Sequence, residues 1–432
     1  MTTPRRFLFA ITDGGGNVPP DTSVARALVQ RGHDVRILAD RVLEPDVRAT
    51  GAEHVAWDTA PQRPDLQPES VLFRDWEART PLGAFASARD GLMTGPAARF
   101  AADVRAELRR RPADVVASSF FLFGAQTAAE AEGVPVAMLV ANVAAFPGWG
   151  IPPMGSGMPE ARGPLGRLRD AAGGRATSWL FDRGLEDLNA ARRANGLAPV
   201  DHVLDGYARA DRVLVLTSRA FDYPSFSPPP NVRVTGPRLD DPAWAGEWAP
   251  PAGDEPLVLV SLSLTFMDQA DVLRRIAQAL GDLPVRGLVT TGPSIAPEQI
   301  AAPPNVTVVE RAPHSQVLPH VAAVVSHGGH GTVIKTLAAG VPLVVMPFGR
   351  DQPDNAARVV HHGAGVRLRP SARAGAITRA VRRLLEDPSY AAGARGLAGA
   401  IARDVEVDRA ADELEALAGT RAAAREPAAA TA

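Results

Sequence analysis

The sequence predicts an α/β protein of two parallel-sheet domains, on three observations. Short apolar runs alternate with stretches of helical periodicity along nearly the whole chain, the pattern of repeated βα units. At 432 residues the chain exceeds what one core needs at about 150 residues per domain. The alternation lapses over 239–256, where Asp, Pro, Trp and Gly carry no sustained period and read as a linker.

Residues 7–11, five apolar side chains in a row, suit a first strand covered on both faces. Glycines 14–16 follow as a loop, then a helix over 23–30 with Val24, Ala27 and Leu28 on one face. Gly32 ends that helix and 35–38 reads as the next strand. The unit repeats as strand 115–117, helix 125–132 and strand 134–140, with a further strand at 213–216. Beyond the linker, strands are expected at 257–262, 285–290, 306–309, 322–325 and 343–346. Ile377, Val381, Leu384 and Leu385, at i, i+4, i+7 and i+8, mark a helix.

Segments 62–95 and 144–174 lack a period and read as long irregular loops, which in compact domains are usually functional or mobile. The second carries Phe146, Trp149, Met154 and Met158, an inventory that suits a greasy ligand or the loop's own base. The resulting division is 1–238, linker 239–256, 257–402, a terminal helix over 403–419 and an Ala-rich frayed tail over 420–432.

Composition excludes several functions. A net charge of -2, from 46 basic and 48 acidic residues, gives no general electrostatic reason to bind nucleic acid or anionic lipid. No apolar run approaches the ~18 residues of a membrane span, and 7–11 is too short for a signal peptide, so a cytoplasmic protein is expected. The absence of cysteine excludes disulfides, thiolate metal sites and a cysteine nucleophile. Nothing in the pattern indicates an oligomeric state.

Six of the nine histidines fall between His314 and His362, which concentrates polar chemistry there. Ser326-His327-Gly328-Gly329-His330-Gly331-Thr332 joins the expected strand 322–325 to a helix. A strand end, a glycine turn and a helix N-terminus form an anion site, with backbone N–H groups of Gly331 and Thr332 aimed at a phosphate. The Thr332 hydroxyl and a His327 ring N–H add donors, although a tight turn alone would also use such glycines. About twenty residues on, Asp351-Gln352 follows the turn and strand of Gly340 to Pro347. An acidic residue beside an amide at a strand's carboxyl end offers paired acceptors and donors to sugar hydroxyls.

Together, Arg311-Ala312-Pro313-His314 with Val317-Leu318, the run His327 to Thr332, Pro342 to Pro347 and Asp351-Gln352 resemble a family signature. It is similar to the donor motif of nucleotide-sugar-dependent glycosyltransferases of small molecules, the bacterial natural-product (macrolide) members above all. Arg31-Gly32-His33, Val234-Thr235-Gly236-Pro237 and Val260-Ser261-Leu262-Ser263 extend the resemblance over most of the chain.

The resemblance implies the GT-B fold: two Rossmann-like domains facing a cleft, with a C-terminal helix crossing back to the N-terminal domain. The acceptor would bind the first domain and the nucleotide sugar the second. His327, Gly329, Gly331 and Thr332 would hold the pyrophosphate, with Ser261 and Ser263 as further phosphate contacts. Arg311 and Ala312 would meet the nucleobase, Asp351 and Gln352 the sugar, and Phe146, Trp149 and Met154 a small hydrophobic acceptor. It implies no metal and no cofactor, the nucleotide sugar being a co-substrate.

The chain departs from the family at three places. Arg311 stands for the base-stacking tryptophan and His314 for a glutamine; a guanidinium also stacks on a pyrimidine. Lys335 stands where the family's glutamate accepts from the ribose hydroxyls, and a lysine only donates, which favours a dTDP-sugar over a UDP-sugar. Gly15 and Ser119 occupy the positions of the family's histidine–aspartate catalytic dyad. Asp13, at the end of the first strand, is the candidate general base in their stead, or else a loop aspartate bonded to backbone N–H groups. Asp21 reads as a helix N-cap and His33 as a structural residue at a helix end.

The expected activity is inverting, metal-independent transfer of a sugar from a dTDP- or UDP-sugar to a hydroxyl of a small hydrophobic natural product. A hydrolysing nucleotide-sugar epimerase of the same fold and a non-catalytic nucleotide-sugar-binding auxiliary protein are the alternatives.

Overall fold

The computed structural model describes residues 3–14, 16–144, 146–242, 246–263 and 265–425, with side chains to 420. Two wholly parallel sheets make up its framework. The first contains β1 (Arg6–Ala10), β2 (Asp34–Ala39), β3 (Glu53–Ala56), β4 (Val115–Ser119), β5 (Val136–Val140), β6 (Arg212–Val215) and β7 (Val232–Val234) in the order β3-β2-β1-β4-β5-β6-β7. The second contains β8 (Leu257–Ser261), β9 (Arg286–Thr290), β10 (Val306–Val309), β11 (Val321–Ser326), β12 (Leu343–Val345) and β13 (Gly365–Arg367) in the order β10-β9-β8-β11-β12-β13.

Because side chains alternate along a strand, each sheet divides its apolar residues between two cores. Leu8 and Ala10 of β1 face one cluster, and Phe7 and Phe9 face the other. Val258 and Val260 of β8 are separated in the same way from Leu257 and Leu259. Strands β3, β7 and β13 escape the sequence pattern because they are short edge strands with polar residues among the apolar ones.

The last helix, Arg409–Arg425, returns to the first domain. Ala410, Ala411, Leu414, Leu417 and Ala418, one helical stripe, are buried against Phe7 and Phe9. Fully burying a side chain such as Leu414 stabilises the docking by about 1.5–3 kcal/mol. His33 gives this helix a polar anchor, with Nε2 at 2.7 Å from Glu415. Arg31 pairs with Asp412 at 2.7 Å and Glu415 at 2.8 Å. The helix starts six residues later than the 403 boundary and takes in 420–425 of the expected tail; 426–432 lie outside the described residues.

Between β7 and β8 no helix or strand is present among the described residues. Adjacent linker carboxylates hold opposite domains. Asp240 accepts from Ser23 of the helix Val18–Gln30. Asp241 pairs with Lys335 at 2.8 Å and accepts from the Ser315 N–H at 2.8 Å. A buried pair, Arg358 with Asp222 at 2.8 Å, ties the domains elsewhere.

Both irregular segments contain more structure than their sequences suggest. Residues 62–95 include the helix Pro81–Ala88 and a π-helical turn, Arg89–Met93. The helix Gly163–Asp182 begins inside the second segment. It buries only Gly174 and Phe181, so no sequestered face signals it.

Candidate functional site

In both sheets the strand order reverses at one point, between β1 and β4 and between β8 and β11. Loops leaving the carboxyl ends of such strands diverge and open a crevice, where open α/β sheets bind ligands.

The first crevice is rich in carboxylates. Asp13 follows β1, lies 8% exposed, donates its N–H to Asp40 at 2.8 Å and ion-pairs with Arg63. Asp40 also accepts from the Thr12 hydroxyl at 3.0 Å. Burial pushes Asp40 up to about 7, against the hydrogen bond from the Asp13 N–H. Asp21 is not the N-cap: Asn17 occupies that position, and Asp21 lies inside the first turn of the helix. Its Oδ2 accepts from the Ser119 hydroxyl at 2.6 Å, while Oδ1 finds no hydrogen-bond partner among the described residues. Burial raises Asp21 to about 7, with the Ser119 and Asn17 hydrogen bonds opposing. Asn17 joins the group by donating to the Thr12 carbonyl at 3.0 Å and to Ser119 Oγ at 3.2 Å. Gly15, at the family's histidine position, lies outside the described residues.

The second crevice holds neutral imidazoles. Gly328 has φ of 93°, and Gly329 leaves room for the His327 ring, whose Nε2 would stand 2.5 Å from a Cβ there. A Cβ on Gly331 would meet nothing within 4 Å, so the N-terminus of the helix His330–Ala338 opens onto space. His327 Nδ1 is buried with no hydrogen-bond partner among the described residues. Burial, with the Arg350 charge nearby, pushes His327 down to about 4; burial does the same to His330. His314 Nε2 is 3.2 Å from the Ser261 hydroxyl, and burial followed by the Lys335 charge lowers it to about 4. Ser263 Oγ is 3.0 Å from Thr265 Oγ1.

Asp351 stands at the N-cap position of the helix Gln352–His361 without a side-chain capping bond, and burial raises its carboxyl above the ordinary range, against the Asn355 hydrogen bond. Asn355 donates at 2.8 Å both to Asp351 Oδ2 and to the Gly328 carbonyl, joining the expected sugar and phosphate residues. Gln352 is differently employed. Its Oε1 accepts from the N–H groups of Phe348 and Gly349 at 2.7 and 3.2 Å, so in this arrangement it shapes the loop before Asp351.

A cavity of ≈ 270 Å³ is lined from both domains: by Asp13, Thr22 and Arg63 from the first, by Thr265, Ser294 and Arg311 from the second, and by Asp240 and Asp241 from the linker. Arg311 also pairs with Glu310 at 2.8 Å, and Ala312 packs against the second domain's core. The Lys335 ammonium is drawn into its pair with Asp241 and does not extend to solvent. Arg350 links the crevices, with Nη1 at 3.5 Å from the Gly14 carbonyl and 3.4 Å from Thr265 Oγ1.

The apolar side chains expected at the acceptor are packed inward. Phe146 and Trp149 are buried in the first domain's core, with ring centroids 4.9 Å apart, and Met154 packs on its edge. A core aromatic of this kind shapes the base of a loop; their apolar surface is already covered by Tyr207 and Phe226. Arg63, Asp40, Arg350 and Asn355 were invisible in the sequence pattern, because each meets a site residue that is distant in the chain.

Residues 274–417 match the family model of the C-terminal domain of erythromycin biosynthesis protein CIII-like proteins. Over 424 residues the chain is 34% identical to 4'-demethylrebeccamycin synthase of Lentzea aerocolonigenes, covering 95% of this chain and 99% of that protein. It is 28% identical to the oleandomycin glycosyltransferase of Streptomyces antibioticus over 434 residues, 99% of this chain and 94% of the relative. Among solved structures, the calicheamicin glycosyltransferase aligns at a TM-score of 0.74 and 26% identity, covering 97% of this chain and 99% of that one.

Two doubly wound domains with a returning terminal helix, matched along their length by such a structure, constitute the GT-B fold. The chain belongs to the bacterial natural-product glycosyltransferases. It is thus a sugar-transferring enzyme, which removes the epimerase and auxiliary-protein alternatives. No helix among the described residues is long and apolar enough to cross a membrane.

Proposed function

We propose that the enzyme transfers a sugar from a dTDP- or UDP-sugar to a hydroxyl of a small hydrophobic natural product, with inversion at the anomeric carbon. The observation that carries this reading is the cavity lined by Asp13 from one crevice and by Arg311 and Thr265 from the other. A proton acceptor and a nucleotide-binding wall then share one space.

The acceptor oxygen attacks the anomeric carbon as its proton passes to Asp13 and the bond to the diphosphate breaks. Arg63, ion-paired with Asp13, holds the carboxylate in place at the end of β1. Negative charge growing on the departing diphosphate meets the N-terminus of the helix His330–Ala338, the Thr332 hydroxyl and a neutral His327 N–H. These donors supply leaving-group stabilisation without a metal, and the nucleotide sugar is the only co-substrate in this scheme.

Arg311 stacks on the pyrimidine, Ala312 borders it, and Asp351 accepts from the sugar hydroxyls. Ser261 and Ser263, at the end of β8, supply further phosphate donors. The Lys335–Asp241 pair leaves no lone acceptor at position 335 for a ribose 2′-hydroxyl, which favours a dTDP-sugar. A thermal-shift screen of dTDP, UDP and their sugars, followed by turnover with the best donor and a panel of phenols and alcohols, tests the proposal. Stabilisation by none of the nucleotides would overturn it.

A further inference from the structure

The turn carrying Asp351 is fastened on both sides to loops of the first domain. On one side, Arg350 donates from Nε and Nη2 to the two oxygens of Asp75, at 2.6 and 2.9 Å, and lies over the Phe73 ring at 4.8 Å. Arg350 has φ of 56°, a conformation that a residue with a side chain keeps where surrounding contacts hold it. On the other side, Asp354, 5% exposed, accepts the N–H of Gly155 at 2.7 Å and of Gly157 at 2.9 Å. Arg367 adds a bond to the Gly157 carbonyl at 3.0 Å. A Cβ on Gly157 would stand 2.6 Å from the Arg367 guanidinium and 2.8 Å from Pro353, so glycine is what permits this close seating. Residues 73–75 belong to one of the long irregular segments of the first domain and 155–157 to the other. A five-residue stretch of the second domain, 350 to 354 with Asp351 within it, therefore holds both.

We propose that Arg350 and Asp354 are positioning residues that seat the two acceptor-side loops on the turn presenting Asp351, so that the acceptor pocket is complete only while that turn occupies its sugar-binding place. The inference rests on the reading that Asp351 meets the transferred sugar. Its consequence is selective use of the activated sugar: with the loops seated, an acceptor hydroxyl is placed and water is kept out. With them unseated, the same anomeric carbon is open to water, which would take the sugar while the nucleoside diphosphate leaves.

Asp354→Ala in the full-length enzyme is the test, read in three ways. Amide exchange across 155–157 should accelerate at least tenfold, a readout that needs no substrate. Affinity for dTDP and UDP should stay within threefold of wild type. With the accepted nucleotide sugar and 4-methylumbelliferone, the acceptor KM should rise at least tenfold and the ratio of hydrolysis to transfer should increase, with Asp354→Asn falling between because it keeps one accepting oxygen. Gly157→Ala repeats the test from the loop's side if Asp354→Ala melts early. Unchanged exchange, or unchanged KM and hydrolysis ratio in both variants, overturns the proposal. Asp351→Asn separates the two readings: if it leaves transfer intact, the sugar assignment falls; if it impairs transfer while the 354 and 157 variants behave as wild type, only the coupling falls.

Discussion

In the first crevice burial lifts the carboxyls of Asp21 and Asp40 to about 7, whereas in the second it lowers the imidazoles of His327 and His330 to about 4. One cause, the cost of keeping a charge away from water, acts on an acid in one domain and on a base in the other. At neutral pH the histidines are therefore uncharged hydrogen-bonding groups. In the proposed reaction, diphosphate binding therefore falls to the helix N–H groups, the hydroxyls and neutral imidazole N–H donors. Asp13, in the first crevice, pairs with the Arg63 guanidinium and lines the cavity between the domains.

The sharpest way to break this contrast is Asp13→Asn. If Asp13 is the proton acceptor, turnover with an alkyl alcohol should fall by roughly 100- to 10,000-fold, the range of general-base contributions. The loss should shrink with an acidic phenol, whose proton needs less help to leave. Turnover with a matched alcohol and phenol, alongside a melting curve, checks it; equal losses would make Asp13 a loop fastener.

The donor side is tested next by His327→Ala and Thr332→Ala. Each should weaken binding of the bare nucleoside diphosphate by roughly 10- to 150-fold, the equivalent of about 1.5–3 kcal/mol for a hydrogen bond to a charged group. Calorimetry with the diphosphate measures it. Because the imidazole is already neutral, the wild-type and His327→Ala affinities should keep the same ratio between pH 6 and 8. A ratio that grows toward pH 6 would mean that an imidazolium binds the phosphate.

Asp351→Asn should have a smaller and more selective effect. It keeps a side chain that can accept, yet loses the charge that strengthens bonds from sugar hydroxyls. Transfer should slow by about 10- to 100-fold, the equivalent of about 1.4–2.7 kcal/mol, while diphosphate affinity changes less than threefold. Loss of diphosphate binding in a folded variant would place Asp351 at the wrong end of the donor.

What the sequence made legible follows how far apart the cooperating residues stand. The glycine turn from His327 to Thr332 and the Asp351-Gln352 pair are contiguous, so local order alone points to a strand–turn–helix junction and a polar pair. Arg63 reaches Asp13 across 50 positions, and Arg350 reaches Asp75 across 275. Neither distance leaves a trace in periodicity or composition. The same limit explains Phe146 and Trp149: an apolar inventory says that a surface will be covered, and only packing shows that Tyr207 and Phe226 do the covering. Gln352 was legible as polar, but its role in holding the Phe348 and Gly349 amides depends on a turn that only the fold defines.

Asp21 supplies the smallest expected effect and one with a definite sign. The unfolded chain releases this proton near the ordinary 3.8, whereas the folded protein keeps it until about 7. Between those values the native state binds the extra proton, so Asp21's contribution to stability is fully present below 3.8 and is lost as pH rises through about 7. The buried imidazoles act oppositely: His327, lowered from 6.5 to about 4, costs stability as pH falls through that interval, because the unfolded chain then takes up the proton. Both trends overlap in wild type, and a single melting profile would blur them. Asp21→Asn isolates one, since the imidazoles are common to both proteins and cancel in the difference. Only below 3.8, where both states of wild type are protonated, would the carboxyl match the asparagine amide; at pH 5 the variant is already ahead, and the gap should widen to about pH 7 and then level off. By pH 8 the variant should lead wild type by a few degrees, with a slope no steeper than about 1.4 kcal/mol per pH unit. Differential scanning calorimetry of both proteins from pH 5 to 8 measures the gap. A constant gap would show that Asp21 ionises in the folded crevice as it does in water, and that the Ser119 and Asn17 hydrogen bonds outweigh burial.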